Sequence, residues 1–244
     1  METYLINLHR CPERLEKMKQ ALMGIDVKFE RIEAVDSKKL SQLDLSNCKS
    51  PNFEYPYELK NGEVACFLSH RKCWEKLVNS KSSWGLILED HCVLSPNARL
   101  YLQSTEWIPE ECKLVQFVFS QKPVFFRKKI TLPDGNSLLN AVYTSPIGTS
   151  GYFISRYAAE IAIEYSKKIL SPIDNYLFGS WSRFSKQVPY WRLCGAIIKR
   201  DPSLPTTIED RNYKYRKIYP TRCLIKANMN LQRCFLKKDF QFWY

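Results

Sequence analysis

Along the chain, short apolar runs alternate with stretches in which apolar residues recur every three or four positions, the pattern of strands interleaved with helices. Residues 3–8 (TYLINL) predict a buried strand. Pro12 stands as a first-turn proline, and Leu15, Met18 and Leu22 follow at helical spacing until Gly24 stops the helix. Residues 27–35 predict a second strand ending at Asp36, which completes the strand, helix, strand unit of a parallel sheet. Residues 37–60 are polar and carry Pro51 and Pro56, so they predict an irregular excursion. Asn61 can cap a helix over 62–79, where Val64, Phe67, Leu68, Arg71, Trp74 and Val78 share one mostly apolar stripe.

Residues 84–88 (WGLIL) are continuously apolar, as a strand covered on both faces should be, and run directly into Glu89, Asp90 and His91. Residues 114–119 predict another buried strand. Residues 124–130 and 138–144 flank Pro133-Asp134-Gly135-Asn136, a turn signal that predicts an antiparallel hairpin. A strand at 151–154 leads through Ser155, as cap, into a helix ending near Lys168, and Ser171-Pro172 opens a further helix. These elements predict an α/β fold with a mixed, largely parallel sheet flanked by helices over 1–198, and a basic, aromatic extension over 199–244, helical or irregular.

Composition sharpens this picture in three places. With 244 residues, 45% of them hydrophobic, the chain can bury a real core. No apolar run approaches the roughly 18–20 residues of a membrane-spanning helix, and the first residues lack the order of a signal peptide, so a cytoplasmic chain starting at Met1 is expected. Nine cysteines without a C-x-x-C pair are expected to be reduced thiols, with Cys66 and Cys73 as small core residues. Of the formal +12 charge, +7 lies in residues 199–244, where eleven Lys and Arg stand against four acids. Nucleic acid, an anionic membrane or a phosphorylated glycolipid could each meet such a stretch.

In an open α/β sheet ligands bind beyond the carboxyl ends of the strands, and two predicted strands here end in acids: Asp36, and Glu89-Asp90-His91. An acid-x-His arrangement suits a divalent cation, with Mg²⁺ or Mn²⁺ held by hard oxygens and the imidazole tilting the choice towards Mn²⁺. Side chains alternate along extended backbone, so Glu89 and His91 should face one way and Asp90 the other. Such acids are also common in plain surface loops. His70, mid-helix beside Ser69, reads equally as a hydrogen-bonded core histidine. Asp174 falls in the first turn of a helix, where the dipole favours its ionised form, as a general base requires; helix stability alone would also place it there.

Several of these segments resemble, in order, the motifs of glycosyltransferase family 25: YLINLHRCPERL and FERIEAVD before Asp36, GEVACFLSH ending at His70 with Trp74 after it, the ILED ending at Asp90, GTSGYFIS from Gly148, and Pro172-Ile173-Asp174. The resemblance extends over roughly the first 175 residues. It implies a GT-A-type fold, a UDP-sugar donor, a divalent metal and inversion at the anomeric carbon. By position, Asn7 and Arg10 with Asp36 would line the nucleotide side, Ser69 and His70 would face the donor, Glu89, Asp90 and His91 would be the metal triplet, and Asp174 the base. The sequence departs from the family at His91, where the pattern has a second aspartate, and a shift towards Mn²⁺ with Mg²⁺ still usable is expected.

The bacterial branch of the family implies a UDP-hexose donor, galactose before glucose, and a lipooligosaccharide or lipopolysaccharide acceptor anchored in lipid. The expected enzyme is then cytoplasmic and peripheral on the inner membrane, with Tyr213, Tyr215, Trp243 and their basic neighbours meeting anionic lipid. Nucleic acid is not expected, because no recognition motif is present and carboxylates end the strands. A catalytically silent UDP-sugar-binding homologue is the competing reading, and His91 is its support.

Overall fold

The computed structural model describes residues 1–48, 59–142, 148–180, 182–205 and 236–243. The chain opens with strand β1 (Glu2–Asn7), helix α1 (Pro12–Gly24) and strand β2 (Glu30–Glu33). A 3₁₀ turn (Ser37–Lys39), α2 (Gln42–Cys48) and the long α3 (Asn61–Asn79) lead to β3 (Trp84–Glu89) and β4 (Cys92–Leu94). Next come α4 (Ala98–Leu102), β5 (Leu114–Gln116), the hairpin strands β6 (Val124–Thr131) and β7 (Ser137–Val142), β8 (Gly151–Ser155) and α5 (Arg156–Tyr165). The remainder is α6 (Ile173–Phe178), α7 (Arg183–Gln187), β9 (Trp191–Leu193), β10 (Gly195–Ala196), β11 (Ile198–Arg200), β12 (Lys237–Asp239) and β13 (Phe242–Trp243).

One sheet organises all of this, in the order β12-β6-β7-β9-β5-β8-β3-β1-β2. It is mixed, as the hairpin signal required. β1 pairs in parallel with both β2 and β3, and β5 with β9. The other ladders of this sheet are antiparallel, a heavier antiparallel share than the opening βαβ unit suggests. The apolar run of β3 feeds two cores: Ile87 packs with Phe67, Trp74 and Leu77 of α3 on one face, while Leu86 and Leu88 pack with Met18, Leu22 and Phe117 on the other. Helices therefore cover both faces, and continuous hydrophobicity replaces alternation because neither side meets water. Full burial of Val64, Phe67, Trp74 and Leu77, each 0% exposed, pins α3 to the sheet, at about 1.5–3 kcal/mol for each such side chain.

Two sequence expectations are corrected. The irregular excursion over 37–60 contains the 3₁₀ turn and α2; residues 49–58 lie outside the described set. Helix α3 starts at its expected cap, Asn61, one residue earlier than foreseen: Lys60 is the N-cap, and its N–H donates to Glu63 Oε2 at 2.9 Å. The expected division at 198/199 falls within β11. β11 crosses it and pairs with β4, while β12, from the basic extension, adds an edge strand to the main sheet by pairing with β6. Unsatisfied strand edges recruit whatever backbone reaches them. Of the proposed membrane-facing aromatics, Tyr213 and Tyr215 lie outside the described residues. Among the described residues no helix is long and apolar enough to cross a membrane.

Gly151 opens β8 where three layers meet. A Cβ there would lie 2.7 Å from the Phe117 ring and 2.8 Å from Ile198 Cδ1. Gly151→Ala is expected to lower stability by about 1–3 kcal/mol through overpacking, readable as a lower urea midpoint at unchanged slope.

Candidate active site

A cleft of ≈ 550 Å³ opens at the carboxyl ends of β1, β2 and β3, and Asp36, Ser69, His70, Glu89, Asp90, His91 and Asp174 all line it. Its size lies within the range of about 300–1,000 Å³ usual for small-molecule sites. Residues far apart in the chain meet here because the parallel strands end on one rim and α3 and α6 lie along one side. Ring contacts of Tyr176 with Phe67 (4.9 Å between ring centres) and with Trp74 (6.0 Å) dock α6 on α3, which brings Asp174 to the cleft wall.

At the β3 end the backbone alternates its partners. Glu89 N–H donates to Ser150 O at 3.0 Å, and Asp90 N–H to Ile6 O at 3.1 Å. The side chains alternate with it. Glu89 Oε1 accepts from Thr149 Oγ1 at 2.6 Å and lies 3.3 Å from His70 Nε2, while Oε2 lies 3.5 Å from His91 Nδ1. Gly148, at φ +78°, makes the left-handed turn that brings Thr149 and Ser150 onto this carboxylate and onto His91 Nε2, which is 3.0 Å from Ser150 Oγ. Asp90 points the other way: Oδ2 accepts from Asn7 Nδ2 at 2.8 Å, and Oδ1 lies 3.7 Å from Arg14 Nη1. Glu89 and His91 thus share a face, and the expected triplet does not converge on one point. Among the described residues, the group of three His, Cys, Asp or Glu whose ligand atoms all lie within 4.8 Å of one another is instead Cys66, His70 and Glu89.

The carboxylates sit in different electrostatic settings. Burial works to raise the Glu89 pKa, but His91, His70 and Thr149 outweigh it and hold it at about 2. For Asp90 burial prevails over Asn7 and Arg14, and the pKa is raised. Asp36 is also opposed by burial, yet the Arg10 guanidinium (Nε to Oδ2, 2.9 Å) and the Lys38 N–H (3.1 Å) pull its pKa down. Asp174 reverses the expectation drawn from the helix dipole. Pro172 is the N-cap of α6, and burial raises the Asp174 carboxyl above its ordinary value even though the Asn175 N–H (2.8 Å) and side-chain amide (3.0 Å) donate to it. A six-residue helix offers little dipole against that desolvation.

Two expected ligand contacts are committed within the fold. Asn7 does not line the cleft; its amide donates to Cys11 O and Asp90 and accepts from Arg31 Nε, so it acts beneath Asp90. Ser69 Oγ accepts from the Val35 N–H at 2.9 Å and donates to Ala65 O at 2.7 Å, which ties α3 to the end of β2. Arg14 was missed in the sequence reading, although a cation at position 14 continues the buried 18, 22 stripe of α1. It is 6% exposed and also donates through Nη2 to Pro205 O at 2.9 Å. Thr149 and Ser150 lay inside a quoted motif with no role attached. Arg200 and Pro205 close the rim, held by the pairing of β11 with β4 and by the Asp201 N–H, which donates to His91 O at 2.8 Å.

Comparison with known proteins gives this cleft a context. Residues 1–177 match the profile described as Glycosyltransferase family 25 (LPS biosynthesis protein). The chain is 28% identical over 236 residues to the lipooligosaccharide biosynthesis protein lic2B of Haemophilus influenzae, covering 91% of this chain and 86% of that one. It is 30% identical over 187 residues to procollagen galactosyltransferase 1 of Danio rerio, covering 72% of this chain and 30% of that longer one. A solved structure of a glycosyltransferase involved in the glycosylation of the major capsid of PBCV-1 covers 95% of this chain and aligns over its whole length at a TM-score of 0.46 and 8% identity.

Proposed function

Because the chain belongs to glycosyltransferase family 25, we propose that it transfers a hexose, galactose before glucose, from a UDP-sugar to a hydroxyl of a lipooligosaccharide or lipopolysaccharide acceptor, with inversion at the anomeric carbon. The names of the lic2B protein and the zebrafish galactosyltransferase support the acceptor class and the sugar respectively. The observation that carries the reading is the convergence of Asp36 with Arg10, Glu89 with His91, and Asp174 on one cleft.

Each group has work to do there. The acceptor hydroxyl attacks the anomeric carbon while the bond to the UDP oxygen breaks on the opposite face, and Asp174 takes the hydroxyl proton. A carboxylate whose pKa is raised by burial takes up a proton more readily than a solvated one, as a base must. Arg10 with Asp36 would meet base and ribose, and Arg14 and Arg200, which also line the cleft, would bring positive charge to the diphosphate. A divalent cation fits the donor set at Glu89 and His91, a carboxylate held ionised beside an imidazole, which favours Mn²⁺ and admits Mg²⁺. Such a cation would offset the charge of the departing diphosphate.

A donor screen tests this directly. UDP release in the presence of acceptor is expected from UDP-galactose with Mn²⁺, more weakly with Mg²⁺, and not with chelator. Faster release from UDP-glucose would replace the sugar, and no release from any UDP-hexose would remove the enzymatic reading.

We further propose a peripheral location at the inner membrane, supported by the +7 charge of residues 199–244. The full chain should sediment with anionic vesicles, be released as salt rises, and ignore neutral vesicles. Equal binding to both would sink the idea.

A further inference from the structure

Four side chains form a continuous line from beneath α3 to the floor of the cleft. Trp74 Nε1 lies 3.0 Å from Tyr152 Oη, Tyr152 Oη lies 2.9 Å from His70 Nδ1, and His70 Nε2 lies 3.3 Å from Glu89 Oε1. Trp74, Tyr152 and His70 are each 0% exposed, so solvent cannot satisfy their polar atoms. An indole nitrogen only donates, and the Tyr152 oxygen must therefore accept from Trp74. The phenol still carries one hydrogen, and the acceptor it meets is His70 Nδ1. That nitrogen accepts only when bare, which in a neutral imidazole puts the ring hydrogen on Nε2.

We propose that Trp74 and Tyr152 are positioning residues that lock His70 in its Nε2–H tautomer, so that His70 offers a donor to Glu89 at the cleft floor and is not itself a metal ligand. The opposite tautomer would direct two N–H groups at one phenolic oxygen and leave the phenol hydrogen buried without an acceptor. Ionising the phenol offers no escape, because burial raises the Tyr152 pKa well above its ordinary value. His70 Nε2 is buried without a well-aligned hydrogen bond in this structure, and Glu89 Oε1, 3.3 Å away, is within reach as the acceptor of an N–H there.

The assignment has a consequence for cation choice. Cys66, His70 and Glu89 together are the kind of set that binds zinc, but metal coordination needs a bare Nε2. With a hydrogen on that nitrogen the imidazole leaves the set, and Glu89 with His91 remains the harder alternative. The inference rests on the proposed function only in treating Glu89 as a donor-side group; the tautomer stands apart from it.

The test uses the whole chain with ¹⁵N-labelled histidine, at a pH where imidazoles are neutral, with His70 identified by the signals lost in His70→Gln. Two-bond ¹H–¹⁵N correlations should show the His70 hydrogen on Nε2 in the unaltered protein. Tyr152→Phe should make the Nδ1–H form detectable and weaken metal or donor affinity on the order of tenfold, as loss of an outer hydrogen bond does at such sites; Trp74→Phe should act in the same direction. Should Tyr152→Phe not fold, the unaltered protein's spectrum decides. An Nδ1–H signal in that spectrum, an unchanged tautomer in folded Tyr152→Phe, or a thiolate-to-cobalt absorption with Co²⁺ that vanishes in both Cys66→Ser and His70→Gln would overturn the proposal. The stated tautomer in a protein lacking transferase activity would uphold this inference and count against the function.

Discussion

Asp174→Asn is expected to lower turnover by about 10²–10⁴-fold, the usual contribution of a positioned general base, while UDP affinity stays unchanged and the thermal midpoint rises. The two effects share one cause. Burial raises the Asp174 pKa, so the folded protein holds that proton more tightly than the unfolded chain. For a raised carboxyl the sign is unfavourable at neutral pH: below the ordinary value of 3.8 the group is protonated in both states and costs nothing, and above its raised folded value the full cost of a buried charge opposes folding. Asparagine keeps an oxygen able to accept from the Asn175 N–H at 174, and removes the charge. The same shift places the acid limb of kcat/KM above pH 3.8. Calorimetry, UDP titration and initial rates on the purified variant check all three, and unaltered turnover would strip Asp174 of its role.

Glu89→Gln carries the second large effect, an expected loss of about 10²–10³-fold in turnover together with weaker Mn²⁺ binding. Its stability signature has the opposite sign to that of Asp174. The folded pKa is depressed to about 2 from 4.5, so the carboxylate stabilises the fold fully above pH 4.5 and this contribution is lost as pH falls towards 2. The variant should therefore be less stable than the unaltered protein at neutral pH, and the gap should close as both are acidified between those limits. A gap that stays constant across that window would show that His70, His91 and Thr149 do not hold the carboxylate ionised.

How much of this was legible in the sequence depends on the range of the interactions concerned. Strand β3, helix α3 and the turn at Gly135 are written locally, in an uninterrupted apolar run, a helical stripe and a left-handed glycine, and the structure places them within a residue or two of expectation. The opposite facings of Glu89 and Asp90 followed from strand geometry alone. The chemistry of each group did not. Asp174 looked ionised because its helix was visible and the wall that buries it was not. Asn7 and Ser69 resembled ligand contacts, yet their hydrogen bonds close within the fold, to Asp90 and Arg31 and to Val35 and Ala65. Helix α2 escaped because Gln42–Cys48 lies between polar segments and is too short to declare a period. Arg14 could have been found, since a cation in line with Met18 and Leu22 must either be solvated or meet a buried acid.

Strand β12 ties the making of the protein to its architecture. Its partner β6 is synthesised more than a hundred residues before Lys237 emerges to meet Phe126. Throughout that interval β6 presents open backbone on its outer side while the catalytic half is already translated. A nascent chain stalled within residues 206–235 would carry the cleft-lining residues and an uncovered sticky flank together. Ribosome pausing in that window is thus a route to aggregation that active-site substitutions would leave untouched.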